Sequence, residues 1–268
     1  MKPKLFTRVA ILLAVLVFVA PVHAKQTVYM TADNLAGTNL FGTLNLETGE
    51  FTQIAQTTPL FYALSEGPEG LLYGADLNTG TLFTISSGGV TKPYGTITSP
   101  AYQYSGYGFF GLAYQRWEDD LLAVNVDPMH VSLYRIGKRG RTQTDLGVIE
   151  GPDTGIFFSG SLAFGPLGKL FFDFVPPSGA QLYVIDQFTG APKPIGKGLG
   201  TDILTLFSDG TKLYGIDTDA TTQIGIYVID IKTGVAIPTG VIVTGLPSTN
   251  DFYVDTAAFS LSEHERCD

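Results

Sequence analysis

The nonapeptide LYVIDQFTG, at residues 182–190, is the clearest copy of a pattern that recurs through this chain of 268 residues. It aligns with FGTLNLETG at 41–49 and with IYVIDIKTG at 226–234, and two worn copies begin at Leu82 and Leu133. The five starts are 41, 51, 49 and 44 residues apart. A period of about 40 to 50 residues built from short strands is typical of the blades of a β-propeller.

A second strand repeats with nearly the same spacing. LYGAD at 72–76 and LYGID at 213–217 end in Asp, and LAVN at 122–125 and LFFD at 170–173 occupy the same place in two other units. A polar side chain at such a strand end can begin a turn. In the Asp-x-x-Thr-Gly ending of the LYVIDQFTG pattern, Asp or Asn can also accept a hydrogen bond from the backbone two residues on, and Gly accepts the positive φ of a tight reversal. We therefore expect these polar residues to begin turns at the strand ends.

A third strand, rich in small residues, precedes the Leu-aromatic strand of each unit. Its five copies are YALS at 62–65, GLAY at 111–114, SLAF at 161–164, LTLF at 204–207 and TAAF at 256–259. The last copy has no Leu-aromatic strand after it, whereas the strand that includes Val28 has no small-residue strand before it. We predict an all-β fold, a β-propeller of five blades with about four antiparallel strands each, closed by pairing of the N- and C-terminal strands. A six-bladed ring would need a degenerate blade between Thr91 and Tyr107, where no strand triplet is visible.

The first 24 residues are expected to be a secretory signal peptide. Lys2, Lys4 and Arg8 precede an apolar run over 9–20, and Val22-His23-Ala24 provides small residues for cleavage. The run is too short to span a bilayer. We expect one propeller domain over 25–262, a C-terminal tail over 263–268, and a secreted or periplasmic product that is monomeric.

The net charge is −9, and loss of the leader would lower it to −12. Such acidity argues against nucleic acids and anionic lipid surfaces as partners, and we expect no insertion into a membrane after signal cleavage. The basic run from Arg135 to Arg141 fits a solvated turn between outer strands. Cys267 is the only cysteine, so no intrachain disulfide can form.

The LYxxD strand followed by LYxID–TG resembles the exported bacterial propellers of the YVTN and quinoprotein-like kind, especially relatives of unknown function with LYxID/TG repeats. The resemblance covers almost all of residues 25–262 and implies a fold without implying a substrate. The YVTN signature itself is absent, and Trp117 is the only tryptophan, so no tryptophan-docking repeat is present. No catalytic residue and no quinone site is carried over.

No catalytic or metal-binding motif stands out. His130 and His264 have no metal-ligand spacing, and nucleophile-elbow, P-loop and dinucleotide-binding motifs are missing. The acidic runs at 118–120 and 217–219 do not continue into a full calcium loop and are interpreted as solvated turns. We therefore expect neither cofactor nor metal.

Adjacent aromatic residues lie just ahead of the small-residue strands. They are Phe61 and Tyr62, Phe109 and Phe110, Phe157 and Phe158, and Phe252 and Tyr253, with Asp202 at the corresponding place in the remaining unit. These connections are expected around the mouth of the channel, where aromatic rings can stack on sugars. The alternative is packing between blades. Because side chains alternate along a strand, only one ring of each pair can face the mouth.

Two hypotheses for function follow. The first is a non-catalytic scaffold that binds a protein or glycan ligand at the channel mouth. The second is a hydrolase of the five-bladed glycosidase type, for which Asp153, Asp202, Asp251 and Asp255 are the candidate carboxylates and a pair roughly 5–9 Å apart would be required. A structural or surface-assembly module would differ from the first in carrying a flat apolar patch.

Overall fold

The computed structural model of the chain describes residues 27–34, 38–76, 79–98, 108–126, 130–137, 142–149, 160–174, 179–217, 223–247 and 252–259. The expected signal peptide, the tail, Cys267 and the basic residues at 138, 139 and 141 lie outside these ranges. Within them, the only helical elements are two 3₁₀ turns, Pro68–Gly70 and Pro166–Gly168.

Twenty strands form five four-stranded antiparallel sheets. Blade I contains β4 (Phe61–Glu66), β5 (Leu72–Asp76), β6 (Thr81–Ile85) and β7 (Thr91–Thr96), and blade II contains β8 (Gly108–Gln115), β9 (Asp120–Val126), β10 (Val131–Gly137) and β11 (Thr142–Val148). Blade III contains β12 (Leu162–Phe164), β13 (Leu170–Phe174), β14 (Gln181–Ile185) and β15 (Pro192–Ile195). Blade IV contains β16 (Ile203–Ser208), β17 (Leu213–Asp217), β18 (Gly225–Ile229) and β19 (Ala236–Ile242). Blade V contains β20 (Phe252–Ala258), β1 (Thr27–Asn34), β2 (Asn39–Asn45) and β3 (Phe51–Gln56).

The sheets close into a ring, which confirms the predicted fold. Each innermost strand contacts the next in the order β4, β8, β12, β16, β20 and back to β4. Blade V joins the two ends of the chain, because β20 pairs with β1 in the register Tyr29 with Ala258 and Asp33 with Tyr253. This pairing covers sheet edges that an open propeller would leave free.

Apolar side chains fill the space between blades. The core divides into clusters that each join neighbouring blades, such as Val124, Leu133 and Phe172 between blades II and III. The outermost strands are largely exposed, as expected for strands with one face in water. Burial of this kind supplies the main stabilisation of the ring.

Hydroxyl side chains connect the innermost strands near the axis. Thr256 Oγ1 accepts a hydrogen bond from the Leu64 N–H at 3.1 Å, and Ser65 Oγ accepts one from the Tyr114 N–H at 2.8 Å. Ser161 Oγ accepts one from the Leu206 N–H at 2.8 Å. These small residues allow close approach and also satisfy buried backbone groups.

The five innermost strands run in the same direction, which gives the ring two distinct ends. We call the end where they begin, near Phe61, Phe109 and Ile203, the mouth end. The end where they finish, near Glu66, Gln115 and Ser208, is the exit end. Because the sheets are antiparallel, the second strands finish at the mouth end and the third strands finish at the exit end.

Candidate binding site at the mouth end

A polar residue lies within one position of the end of every second strand. These five residues are Asp33, Asp76, Asn125, Asp173 and Asp217, and all are buried. The expected turn role is seen at Asp76, whose Oδ2 accepts a hydrogen bond from Thr79 Oγ1 at 2.6 Å. Asp217 Oδ2 accepts instead from Tyr227 Oη at 3.2 Å and from Thr201 Oγ1 at 3.3 Å. Buried acceptors therefore surround the axis at the mouth end.

The innermost strands of four blades have a register irregularity at the mouth end. The residues left opposite no partner are Tyr62, Phe110, Leu204 and Asp255. A β-bulge turns the extra residue away from the regular alternation of the strand. The bulges therefore determine which side chains the inner strands present near the channel.

The aromatic pairs of blades I and II divide into a buried and a partly exposed member. Phe61 is 1% exposed and packs edge-on against Phe83, and Phe109 is 0% exposed and packs edge-on against Tyr134. Tyr62 and Phe110 are partly exposed and contact each other edge to face, with ring centroids 5.7 Å apart. The packing role thus belongs to Phe61 and Phe109, and the accessible aromatic surface belongs to Tyr62 and Phe110.

Two carboxyl groups lie together beside Tyr62. Asp33, on β1, is hydrogen-bonded to Asp255, on β20, and accepts a further hydrogen bond from the Tyr62 hydroxyl. Two carboxylates cannot hydrogen-bond to one another unless one of them carries a proton. The contact between the two strands that close the ring therefore favours a state in which one of the two carboxyls is protonated.

The surroundings favour this protonated state. Burial raises the pKa of Asp255 well above its ordinary value, and the neighbouring Asp33 charge adds to the shift. Burial also raises the pKa of Asp33, although the hydrogen bonds from Asp255 and Tyr62 oppose that shift. Burial, followed by the charges of Asp255 and Asp33, raises the pKa of Tyr62 as well, so the hydroxyl remains a donor.

Asp173 is a second unusual carboxyl at this end, in blade III. Its Oδ1 accepts a hydrogen bond from the Ser161 N–H at 2.7 Å, while its Oδ2 is buried without a hydrogen-bond partner in the described part of the chain. Burial raises the pKa of Asp173 to about 8. Burial therefore favours the neutral acid near pH 7, and the hydrogen bond shown for this side chain comes from the protein's own backbone.

The channel below the mouth is narrow. Toward the exit end it is lined by residues of all five innermost strands, among them Leu64, Leu112, Ala163, Leu206 and Ala257, and its free space is about 30 Å³. That volume has room for about two water molecules. This pocket is too small to enclose a sugar or a peptide.

The other predicted site residues divide between exposed and undescribed positions. Asp202 is exposed just before β16. Phe157, Phe158, Asp153 and Asp251 lie outside the described residues, and so do the side chains of Phe252 and Tyr253, whose backbones pair with Asn34 and Asp33. Of the four candidate carboxylates, Asp202 and Asp255 lie in the described residues. Asp33, the partner of Asp255, was missed because only the pairing of β1 with β20 brings the two together.

Within the described ranges, no group of three or more His, Cys, Asp or Glu side chains could hold a metal ion. In the same ranges, no helix has the length and hydropathy needed to cross a bilayer.

These features define the class of protein as a five-bladed β-propeller with a polar and aromatic mouth. No family model and no curated protein matches the sequence. Among solved structures, a nidogen/laminin complex is similar to it with a TM-score of 0.55 and 11% identity, over 87% of this chain and 97% of that one. TolB from Acinetobacter baumannii is similar with a TM-score of 0.51 and 13% identity, over 80% of this chain and 53% of that one.

A quinone-bound aldose sugar dehydrogenase from Streptomyces coelicolor gives a TM-score of 0.49 and 16% identity, over 68% of this chain and 62% of that one. The chain thus spans about half the length of TolB and less than two thirds of the dehydrogenase. At these identities the likeness shows the propeller fold alone.

Proposed function

We propose that this chain is an exported, non-catalytic β-propeller that binds a carbohydrate at the mouth end of the ring. The observation that carries the proposal is the grouping of partly exposed Tyr62 and Phe110 beside the Asp33–Asp255 pair. Aromatic faces stack on the apolar faces of sugar rings, and carboxyl and phenol groups hydrogen-bond to sugar hydroxyls. The secretory leader at 1–24 would deliver such a protein to the periplasm or the medium.

The remaining blades would complete the rim of this site. Phe157 and Phe158, Phe252 and Tyr253, and Asp202 occupy the corresponding connections in the sequence and are the proposed further contacts. Phe61 and Phe109 support the site from the core, since their buried rings have no surface left for a ligand. The narrow channel would keep the ligand at the mouth, where all five blades can reach it.

The test is a glycan array probed with the chain as the expression host secretes it. We expect binding to a defined set of glycans, loss of that binding in Tyr62→Ala, and retention of it in Phe188→Ala, which removes an exposed ring at the exit end. An N-terminus at Lys25 in the purified protein would support export. The wild-type chain could instead bind no glycan but bind a purified envelope protein, with that binding lost in Tyr62→Ala. This result would show that the ligand is a protein and not a carbohydrate.

The second candidate is a hydrolytic propeller, and the Asp33–Asp255 pair is the observation that favours it. Glycosidases hold their two carboxyl groups about 5–9.5 Å apart, whereas these two are in direct hydrogen-bond contact. A contact pair resembles carboxyls that share one proton more than an acid and a separate nucleophile. Release of reducing ends from array-positive glycans, lost in Asp255→Asn, would favour the hydrolase over the scaffold.

A further inference from the structure

Corresponding turns at the exit end can be compared from blade to blade. Blade III carries large apolar residues at positions where its counterparts carry charged ones. The two 3₁₀ turns have the sequences Gly67-Pro68-Glu69-Gly70 in blade I and Gly165-Pro166-Leu167-Gly168 in blade III. Glutamate in one sequence is thus replaced by leucine in the other, and the two turns differ in conformation, because Leu167 has a non-helical φ of 64°. Turn geometry does not require leucine there.

A second set of turns shows the same departure. Asn45, Asp186 and Asp230 each accept a hydrogen bond from the backbone N–H two residues on, so the three turns have one conformation. The residue at that second position is Glu47 in blade V, Lys232 in blade IV and Phe188 in blade III. Here again blade III carries a large apolar side chain where its counterparts are charged.

Three large apolar side chains on turns are exposed at the exit end of blades II and III, and we call them the apolar tips. Leu167 is 86% exposed, Phe188 is 60% exposed and Trp117, in the β8–β9 turn, is 53% exposed. Leu167 also has φ 64°, a conformation that side-chain-bearing residues seldom adopt. Exposure of a leucine in such a conformation indicates selection for the tip itself.

Contacts with neighbouring residues position the tips. Trp117 packs edge-on against Phe164 with centroids 5.1 Å apart, and a Cβ added to Gly168, next to Leu167, would lie 3.7 Å from its ring. Gln115 of blade II donates a hydrogen bond to Gln187, next to Phe188, at 2.8 Å. Trp117 therefore lies beside the Leu167 turn, and the polar Gln115–Gln187 contact links their part of the exit end to the Phe188 turn; we call the three tips together the Trp117 surface.

Basic and acidic residues both lie beside the Trp117 surface. Lys169 is exposed next to the Leu167 turn, and the Arg135 guanidinium lies 5.7 Å from the centre of the Phe188 ring. The Asp186 carboxylate accepts hydrogen bonds from the Phe188 and Thr189 N–H groups, which lower its pKa, so it adds a negative charge beside Phe188. Glu118, beside Trp117, is exposed and would be repelled by an anionic surface.

We infer that the Trp117 surface docks on a lipid bilayer with zwitterionic headgroups, with Trp117, Leu167 and Phe188 entering the interface. The tips come from separate turns and project outward, a shape suited to a deformable bilayer. Tryptophan, phenylalanine and leucine backed by basic residues are the composition of interfacial anchors. Lys169 and Arg135 complement lipid phosphates, while Glu118 and the net charge of −9 disfavour anionic membranes.

Docking of this kind differs from insertion of a spanning segment, and it would leave the mouth end facing away from the membrane. The mouth site and the Trp117 surface lie at opposite ends of the ring and share no residue. The inference therefore does not depend on the proposed carbohydrate site.

The test uses phosphatidylcholine vesicles, with co-sedimentation and fluorescence as the measurements. Trp117 is the only tryptophan in the chain, so its emission reports on this surface alone. We expect the wild-type chain to sediment with vesicles and its emission to shift to the blue. Leu167→Glu and Phe188→Lys replace each tip by the residue of its counterpart turn in another blade. Each variant should bind vesicles about tenfold more weakly or worse, because one large apolar side chain no longer leaves water on binding.

Two matched variants serve as controls. Val90→Lys adds a charge at a 61% exposed apolar residue of the exit end in blade I, and Tyr62→Ala changes the mouth. Both should bind vesicles within about twofold of the wild type, because neither belongs to the Trp117 surface. Because Leu167 and Phe188 are 86% and 60% exposed, thermal melts of their variants should stay close to the wild type.

Three results would overturn the inference. The first is absence of vesicle binding by the wild-type chain. The second is an equal loss in Val90→Lys and in Leu167→Glu. The third is an emission shift that grows with protein concentration in lipid-free buffer, which would assign the Trp117 surface to a second copy of the chain.

Discussion

The two ends of the ring differ in which side chains they bury and which they expose. At the mouth end, the carboxyl groups of Asp33 and Asp173 are buried, and the Tyr62 phenol donates a hydrogen bond to Asp33. At the exit end, Leu167 and Phe188 are exposed on turns whose counterparts in other blades have charged residues at those positions. Both arrangements run against the usual preference for apolar interiors and polar surfaces. The difference teaches that the repeat itself supplies the buried polar residues of the mouth end, whereas the exposed apolar residues of the exit end are departures from it.

The largest expected effect separates the buried from the exposed member of each aromatic pair. Phe61→Ala and Phe109→Ala should each lower the free energy of unfolding by about 3–5 kcal/mol, as expected for a cavity in a packed core. Tyr62→Ala and Phe110→Ala should cost about 1–2 kcal/mol, since their side chains are partly in water. Denaturant titrations measure the free energy of unfolding of all four variants. Equal losses in the Phe61 and Phe109 variants and in the Tyr62 and Phe110 variants would contradict the division into buried and partly exposed rings.

The next effect concerns pH and Asp173. Because the folded state raises the pKa of Asp173 from 3.8 to about 8, it binds the proton more tightly than the unfolded chain. Stability from this group is therefore fully present below the unfolded pKa of 3.8 and declines as the pH rises toward the folded pKa. Asp173→Asn should flatten the decline and raise stability at pH 8, as measured by melts between pH 4 and pH 8. An unchanged profile would contradict the assignment.

A smaller effect of the same sign is expected from the closing pair. The pKa values of Asp33 and Asp255 are both raised, so deprotonation at higher pH should weaken the contact between β1 and β20. Asp255→Asn keeps a donor for Asp33 and should reduce the pH dependence of hydrogen exchange at the β1 backbone amides. The matched variant Asp202→Asn, at an exposed carboxylate, should leave that dependence as it is.

The smallest effect tests the exit end. Leu167→Gly should increase stability by about 1 kcal/mol, because glycine adopts a positive φ without the strain of a side chain. The same substitution should weaken vesicle binding, so stability and binding would change in opposite directions. A destabilised Leu167→Gly protein would show that leucine is retained for packing.

The sequence predicts the scaffold well because strand and turn chemistry repeat together. The Thr-Gly turns, the small residues of the inner strands and the split blade all follow from residue types at fixed spacing. It does not predict the bulges at Tyr62 and Asp255, because an extra residue in one strand is defined only by the register of its partner. Asp33 was missed for the same reason, since only the pairing of β1 with β20 brings it to Asp255.

The exit end illustrates a different limit. The contrasts between Glu69 and Leu167, and between Lys232 and Phe188, are visible in the aligned repeats themselves. The aligned repeats do not show which side chains are exposed to solvent, because an apolar residue in a repeat is equally well explained by packing. The fold was needed to show that Trp117, Leu167 and Phe188 lie at one end of the ring and are in water.

The most direct test of the mouth as the binding site is calorimetric titration of the strongest glycan from the array. The titration should compare the wild-type chain, the double variant Tyr62→Ala/Phe110→Ala, and Trp117→Ala. We predict that the double variant loses affinity by about a hundredfold, as expected for two stacking contacts, and that Trp117→Ala binds as the wild type does. Wild-type affinity in the double variant, or loss of affinity in Trp117→Ala, would contradict the account.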